Sequence, residues 1–275
     1  MSFIYPDAVM YAVTEHYLEA AEYFDNKHIV GIFLQGSQNY HLETALSDVD
    51  TKLVVTPTLD EIAYNKAPHS TTHVRANNEH IDFKDVRLML DTFKKQNLNF
   101  LEILFTPYRI INPMYETIWD ELVEHREEIA HYNIYFSVKA MKGMACEKYY
   151  AMEHNYPSKE EILKQYGYDS KQLHHLLRIK DFLTRYIAGE SYEKCMVPKD
   201  IEYLKEVKLG KYELLEARAI ADKTMKEIEE ICEDFTKDSM WNTSNKEVEE
   251  LLNWAKAEMI KISLKNDLSE EEKHG

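Results

Sequence analysis

Five residues in the first third of the chain have the types and spacing of a phosphate-and-metal site. They are Gly36 and Ser37, then Asp48 and Asp50 after ten intervening residues, then Asp82. Transfer of a phosphoryl or nucleotidyl group needs a cradle for the polyphosphate, divalent metals and an activated acceptor oxygen. A Gly-Ser turn after a buried strand can form the cradle. Glycine lets the backbone approach the phosphates, serine adds a hydroxyl donor, and a following helical turn offers N–H groups. Two aspartates at i and i+2 of one strand point to the same face. They repel unless a cation neutralises them, so Asp48 and Asp50 make a seat for Mg²⁺ or Mn²⁺. A third carboxylate on a neighbouring strand completes a two-metal site and receives the acceptor's proton. Asp82, between Ile81 and Phe83, is the candidate, with Asp85 as the alternative. A lone D-x-D is common on exposed hairpins, so the weight lies on the order and spacing of the whole set.

Positioning these residues requires strands, and three short runs suit them: 28–35 (HIVGIFLQ), 48–56 (DVDTKLVVT) and 77–86 (NNEHIDFKDV). Before them, Val9, Ala12, Val13, Tyr17, Ala20, Ala21 and Phe24 recur at helical spacing over 7–26. After them the period is helical, at about 86–96, 98–105, 114–125, 127–154, 159–166, 170–188, 211–234 and 244–265. These patterns predict an α+β chain: a small α/β domain over 1–110, then an all-helical domain over 111–275. The two prolines of TPYRIINP (106–113) mark the expected hinge.

Composition narrows the function class. A formal charge of −16 disfavours non-specific nucleic-acid binding, which needs clustered Lys and Arg. The start has no basic n-region followed by an apolar core, and no run reaches the roughly 18 apolar residues of a membrane span, so no signal peptide and no membrane are expected. Cys146, Cys195 and Cys232 have no metal-like spacing and suit a reducing, cytoplasmic setting. No zinc spacing, P-loop or dinucleotide fingerprint is present.

The set Gly-Ser, D-x-D and a later lone acid resembles the polymerase-β-like nucleotidyltransferase superfamily. GSQNYHLETALSDVDTK is similar to the form carried by its predicted bacterial and phage branch, the RNA-ligase-associated type. NLNFLEILFTP (97–107) and GYDSKQLHHLLRIKDFL (167–183) resemble two further segments of that branch, so the likeness spans about residues 29–190. The resemblance implies a small mixed-sheet nucleotidyltransferase core with flanking helices, and a larger helical region forming the base pocket and acceptor side. It implies that an NMP unit moves from a magnesium-bound NTP, such as ATP, to a hydroxyl with release of pyrophosphate. Asp48, Asp50 and Asp82 would be catalytic and hold the metal, Gly36 and Ser37 would bind the triphosphate, and Lys171, His175 and Arg178 would lie near the nucleotide. These last three fall at i, i+4 and i+7 of one helix, a stripe of potential cations.

Two departures stand out. His41 replaces the usual Gly after Tyr40, and Asn97-Leu98 replaces Asn-Pro. Glu102 lies in an apolar helix, either orienting the site or satisfied by a local partner. Lys139, Lys142, Lys148 and the aromatic stretch 147–157 are weaker candidates for a cleft wall. The acceptor is open: an RNA or tRNA end, a protein hydroxyl or a small molecule. The alternative is a non-catalytic, nucleotide-binding regulator or antitoxin-like module on the same fold.

Overall fold

Helix α1 (Pro6–Ala20) precedes β1 (Ile29–Gln35), whose six leading residues are buried. After the excursion of residues 36–49 the chain forms β2 (Asp50–Val55), α2 (Leu59–Ala63), β3 (Ser70–Val74) and β4 (His80–Asp85). Next come α3 (Val86–Lys94), α4 (Leu98–Leu101), β5 (Arg109–Ile111), α5 (Glu116–Glu124) and α6 (Arg126–Ala130). The computed structural model describes residues 6–45, 47–154 and 160–274. Its five strands make one mixed sheet in the order β3-β4-β2-β1-β5, in which β2 and β4 run parallel and the other neighbours antiparallel. The fold class is the expected one: α+β, with the sheet in the N-terminal part and helices after it.

Alternation sorts the sheet into two faces. Ile32, Leu34, Leu53, Val55, Ile81 and Phe83 pack beneath Val9, Val13 and Ala20 of α1. Each fully buried aliphatic side chain there contributes about 1.5–3 kcal/mol. The opposite face carries Phe33, whose ring stacks on Trp119 of α5 with centroids 4.2 Å apart. On that face the register aligns Gln35 with Asp50, Phe33 with Lys52, Lys52 with Asp82, and Asp82 with Thr72.

Two strands had no clear sequence signal. β3 is a short edge strand of Ser, Thr and His, joined to β4 through a turn at Asn78, which has φ +66°. Residues 77–79, expected within a strand, form that turn, closed by the Arg75 N–H on the Glu79 carbonyl at 2.9 Å. β5 arises inside the expected hinge. Gly31 makes room for it, since a Cβ there would stand 2.8 Å from the Ile110 carbonyl oxygen.

The remaining helices are α7 (Ile134–Ala151), α8 (Glu160–Tyr166), α9 (Ser170–Ile187), α10 (Tyr192–Met196), α11 (Ile201–Lys208), α12 (Leu214–Thr236) and α13 (Lys246–His274). The expected helix 127–154 is two helices, because Asn133 caps α7 by accepting from the Phe136 N–H. Contacts divide the chain into two compact units. The first takes Met1–Asn39, Ala45–Tyr132 and Ser244–Gly275; the second takes Tyr40–Thr44 and Asn133–Thr243. Residues 111–132 and 244–275, expected with the helical domain, thus belong with the sheet, where α13 packs on α2, α3 and α5. In the second unit α9 is central, touching α7, α10, α11 and α12.

Buried His174 of α9 gives this second unit a pH signature. Its Nδ1 bonds the Leu204 carbonyl at 2.8 Å, and burial pushes it down to about 4. The unfolded chain binds a proton below about 6.5 that the folded unit refuses until about 4. The contribution is therefore complete above pH 6.5 and is lost as pH falls toward 4. Between pH 7 and pH 5 the loss is expected to be about 2 kcal/mol at 1.36 kcal/mol per pH unit. Denaturant titrations at the two pH values check it: His174→Asn, whose amide can replace the Nδ1 donor, should lose that share of the slope.

Candidate active site

The Gly-Ser turn leaves the end of β1. Gly36 has φ +97°, a left-handed conformation that glycine adopts without Cβ strain, and Ser37–Tyr40 form one 3₁₀ turn. The turn is held from below by Glu102, which is 3% exposed and accepts from the Gly36 N–H at 3.2 Å and the Asn39 amide at 3.5 Å. Glu102 is thus a buried acid with local partners, and those partners belong to the Gly-Ser turn. The Gly36 N–H is consequently engaged by a carboxylate, while the Ser37 hydroxyl contacts only the Gln38 side chain, at 3.5 Å. The Gln38 amide in turn reaches the Asp48 carbonyl at 2.8 Å, tying the turn to the start of the D-x-D segment.

Only Asp50 of that pair lies in β2; Asp48 and Val49 precede it. The alternation nevertheless continues, with Asp48 exposed, Val49 buried and Asp50 half-buried. The segment is gripped by the β3–β4 turn and by α1. The Val49 N–H donates to Glu79 Oε1 at 3.4 Å, and buried His16 bridges Glu79 Oε2 at 2.9 Å and the Thr51 hydroxyl at 2.8 Å. Burial lowers the His16 pKa against the opposing pull of Glu79. Asp50 Oδ1 accepts from His80 twice, from its N–H at 2.9 Å and its Nδ1 at 3.1 Å.

Asp82 is bound differently. Its Oδ2 takes the Lys52 ammonium at 3.2 Å and the Gln35 amide at 3.4 Å, and its Oδ1 takes the Thr72 hydroxyl. Burial raises its pKa, but the Lys52 charge and these hydrogen bonds outweigh burial and hold it below the ordinary value. Lys52 itself is 2% exposed, with its ammonium 4.4 Å above the Phe100 ring. Burial lowers its pKa, and the charges of Asp82 and Glu102 oppose that drop. Asp85, the alternative acid, caps α3 by accepting from the Arg87 N–H at 2.8 Å and holds the Arg87 guanidinium at 2.6 Å. It is not a candidate ligand.

Among the described residues no group of three His, Cys, Asp or Glu side chains is arranged to hold a metal ion. The donor chemistry fits a divalent ion at two of the three aspartates. Asp48 is exposed, and Asp50 keeps Oδ2 clear of His80; both offer hard oxygen ligands. Both Asp82 oxygens already have partners. Lys52, Gln35, His80 and Glu79 were not singled out from sequence. Lys52 and Gln35 each carried one usable signal: Lys52 is a polar residue inside an apolar strand at the parity of Asp50, and Gln35 is a polar residue ending another apolar strand.

In the second unit the Lys171–Arg178 stripe separates into three roles. Lys171 is exposed; His175 is half-buried, and burial pushes it well below its ordinary value, helped by His174 and Arg178. Arg178 is buried with its guanidinium 4.1 Å from the Tyr40 ring centroid, and its Nε has no hydrogen-bond partner. At neutral pH the stripe thus carries two cations, not three. His41 follows Tyr40 with φ +57°, so the position favoured for glycine is left-handed here too. Asn97 caps α4 in place of Asn-Pro. Lys139 sits over Tyr135, Lys142 reaches Glu233 at 4.0 Å and Lys148 pairs with Glu147 at 2.8 Å. Tyr149 donates to Asp222 at 2.6 Å and Tyr150 is exposed; residues 155–157 of the aromatic stretch lie outside the described residues.

The class defined by these observations is an α+β chain with a Gly-Ser turn and a D-x-D segment tied together beside a mixed sheet. No protein-family model matches the chain, and no curated protein matches it. Among the described residues no helix is long and apolar enough to cross a membrane.

Proposed function

We propose that the chain is a metal-dependent nucleotidyltransferase that moves an NMP unit from an NTP to an acceptor hydroxyl. The observation that carries this reading is the register of the sheet. Gln35, the last residue before Gly36, pairs with Asp50, and Lys52 two residues on pairs with Asp82. Carboxylates from two separate strands therefore share one face, and the Gly-Ser turn starts directly after Gln35 on the neighbouring strand.

Asp48 and Asp50 would hold the divalent ion, which would neutralise triphosphate charge and polarise the α-phosphorus. Gly36 and Ser37 would face the triphosphate, and Glu102 would keep their turn in shape. The acceptor oxygen forms a bond to the α-phosphorus, the bond to the bridging oxygen of the β-phosphate breaks, and pyrophosphate leaves. The hydroxyl proton passes to Asp82. The acceptor stays a class, a hydroxyl on RNA, protein or a small molecule, and the charge of −16 weighs against long nucleic acids.

One observation favours the second reading, a nucleotide-binding module without turnover. His80 and Lys52 satisfy Asp50 and Asp82 with no added cation. Incubation with Mg²⁺ or Mn²⁺ and each α-labelled NTP distinguishes the two. Pyrophosphate release with label on an acceptor, the chain itself included, supports transfer; NTP binding without pyrophosphate over hours supports the module.

A further inference from the structure

Lys52 has no part in the chemistry so far, yet it is the most buried charge in the site. It is 2% exposed, its ammonium lies 3.2 Å from Asp82 Oδ2, and the Phe100 ring covers it at 4.4 Å. The charge of Glu102 acts on it from a second side, and Glu102 also holds the Gly36 N–H. We propose that the Lys52 ammonium fills the second cation position of this centre, so that the chain takes one divalent ion, at Asp48 and Asp50, and Asp82 is not a metal ligand.

The argument rests on occupancy and mobility. Both Asp82 oxygens are engaged, one by the ammonium and the Gln35 amide and the other by the Thr72 hydroxyl. A divalent ion beside Asp82 would meet the like charge of Lys52 in a poorly solvated setting, where repulsion is weakly screened. Lys52 is not free to withdraw, because its departure would leave half-buried Asp82 without the cation it pairs with at 3.2 Å. Asp48 and Asp50 present the opposite case: two carboxylates two residues apart, with no Lys or Arg among the described residues paired to either and His80 on Asp50 Oδ1, whose mutual repulsion an added cation relieves. Asp82 then works as a proton acceptor whose charge is balanced from within the chain.

This inference rests on the nucleotidyltransferase reading, and equilibrium dialysis separates their failures. The chain is dialysed against Mn²⁺ and saturating α,β-methylene-ATP, and bound Mn²⁺ is counted per bound analogue. The expected ratio is one in the native chain. Asp82→Asn should keep that ratio with the apparent Kd for Mn²⁺ unchanged within about twofold, whereas Asp48→Asn or Asp50→Asn should weaken it at least about tenfold. Folded Lys52→Met should rise to two. A ratio of two in the native chain, a tenfold weakening in Asp82→Asn, or a folded Lys52→Met that stays at one overturns the proposal and leaves the enzyme reading standing. Native chain that takes up neither Mn²⁺ nor analogue overturns the reading itself. The native count and the Asp82→Asn arm do not depend on Lys52→Met folding.

Discussion

Replacing Asp48 and Asp50 together by asparagine is expected to lower NMP transfer at least about 10²–10³-fold, the scale set by removing one preorganised charge-stabilising group. The substitution keeps size and hydrogen-bonding capacity and removes two negative charges. Those charges are what the proposed divalent ion would need as hard oxygen ligands. Stability should hardly change, because Asp48 is exposed and Asp50 half-buried, with its side chain bonded to His80. Substitutions at such positions fall within about 0.5 kcal/mol. Transfer rates with labelled NTP, read beside a denaturant midpoint, check both halves. An unchanged rate would remove Asp48 and Asp50 from the site; a collapsed midpoint would mean that their role is structural.

Lys52→Met is the substitution with the largest expected effect on stability. The methionine keeps the aliphatic volume under Phe100 but withdraws the cation that faces Asp82 and Glu102. Breaking a buried pair by removing one partner costs about 3–5 kcal/mol, because the remaining charge stays desolvated. The 23% exposure of the Asp82 side chain moves the expected cost to the lower end, about 3 kcal/mol. Adding Asp82→Asn should recover part of the loss, since the double variant leaves no carboxylate at that position. A double-mutant cycle in denaturant measures the coupling. Additive effects of the two substitutions would mean that the pair contributes nothing to stability.

The fold class was legible because its signals are local. β1 is a continuous apolar run, α1 has helical period, and both survive without reference to partners. β3 and β5 were not legible for the converse reason. β3 is an exposed edge of Ser, Thr and His, and β5 is three residues long, so neither buries a pattern of its own. Their strand conformation comes from hydrogen bonds offered by β4 and β1. The same holds for residues 244–275, where helical period announced α13 but nothing local said that it packs on the sheet unit. At the site, Asp85 stood as the fallback to Asp82, three residues on in the same strand. An N-cap bond and the Arg87 guanidinium separate them.

The sequence by itself determined which residue types stand near one another along the chain and which of them share a parity within a strand. A glycine at Gly36 permits the left-handed turn, and spacing of two puts Asp48 with Asp50 and Asp50 with Lys52. Only the tertiary structure decided how their charges are balanced. Lys52 meets Asp82 across the parallel β2–β4 pair, 30 residues away, and the Gly36 N–H meets Glu102 66 residues away. A buried charge is stabilised by whatever opposite charge the fold brings within a few ångströms, and that distance is a property of strand order and register, which no local pattern encodes.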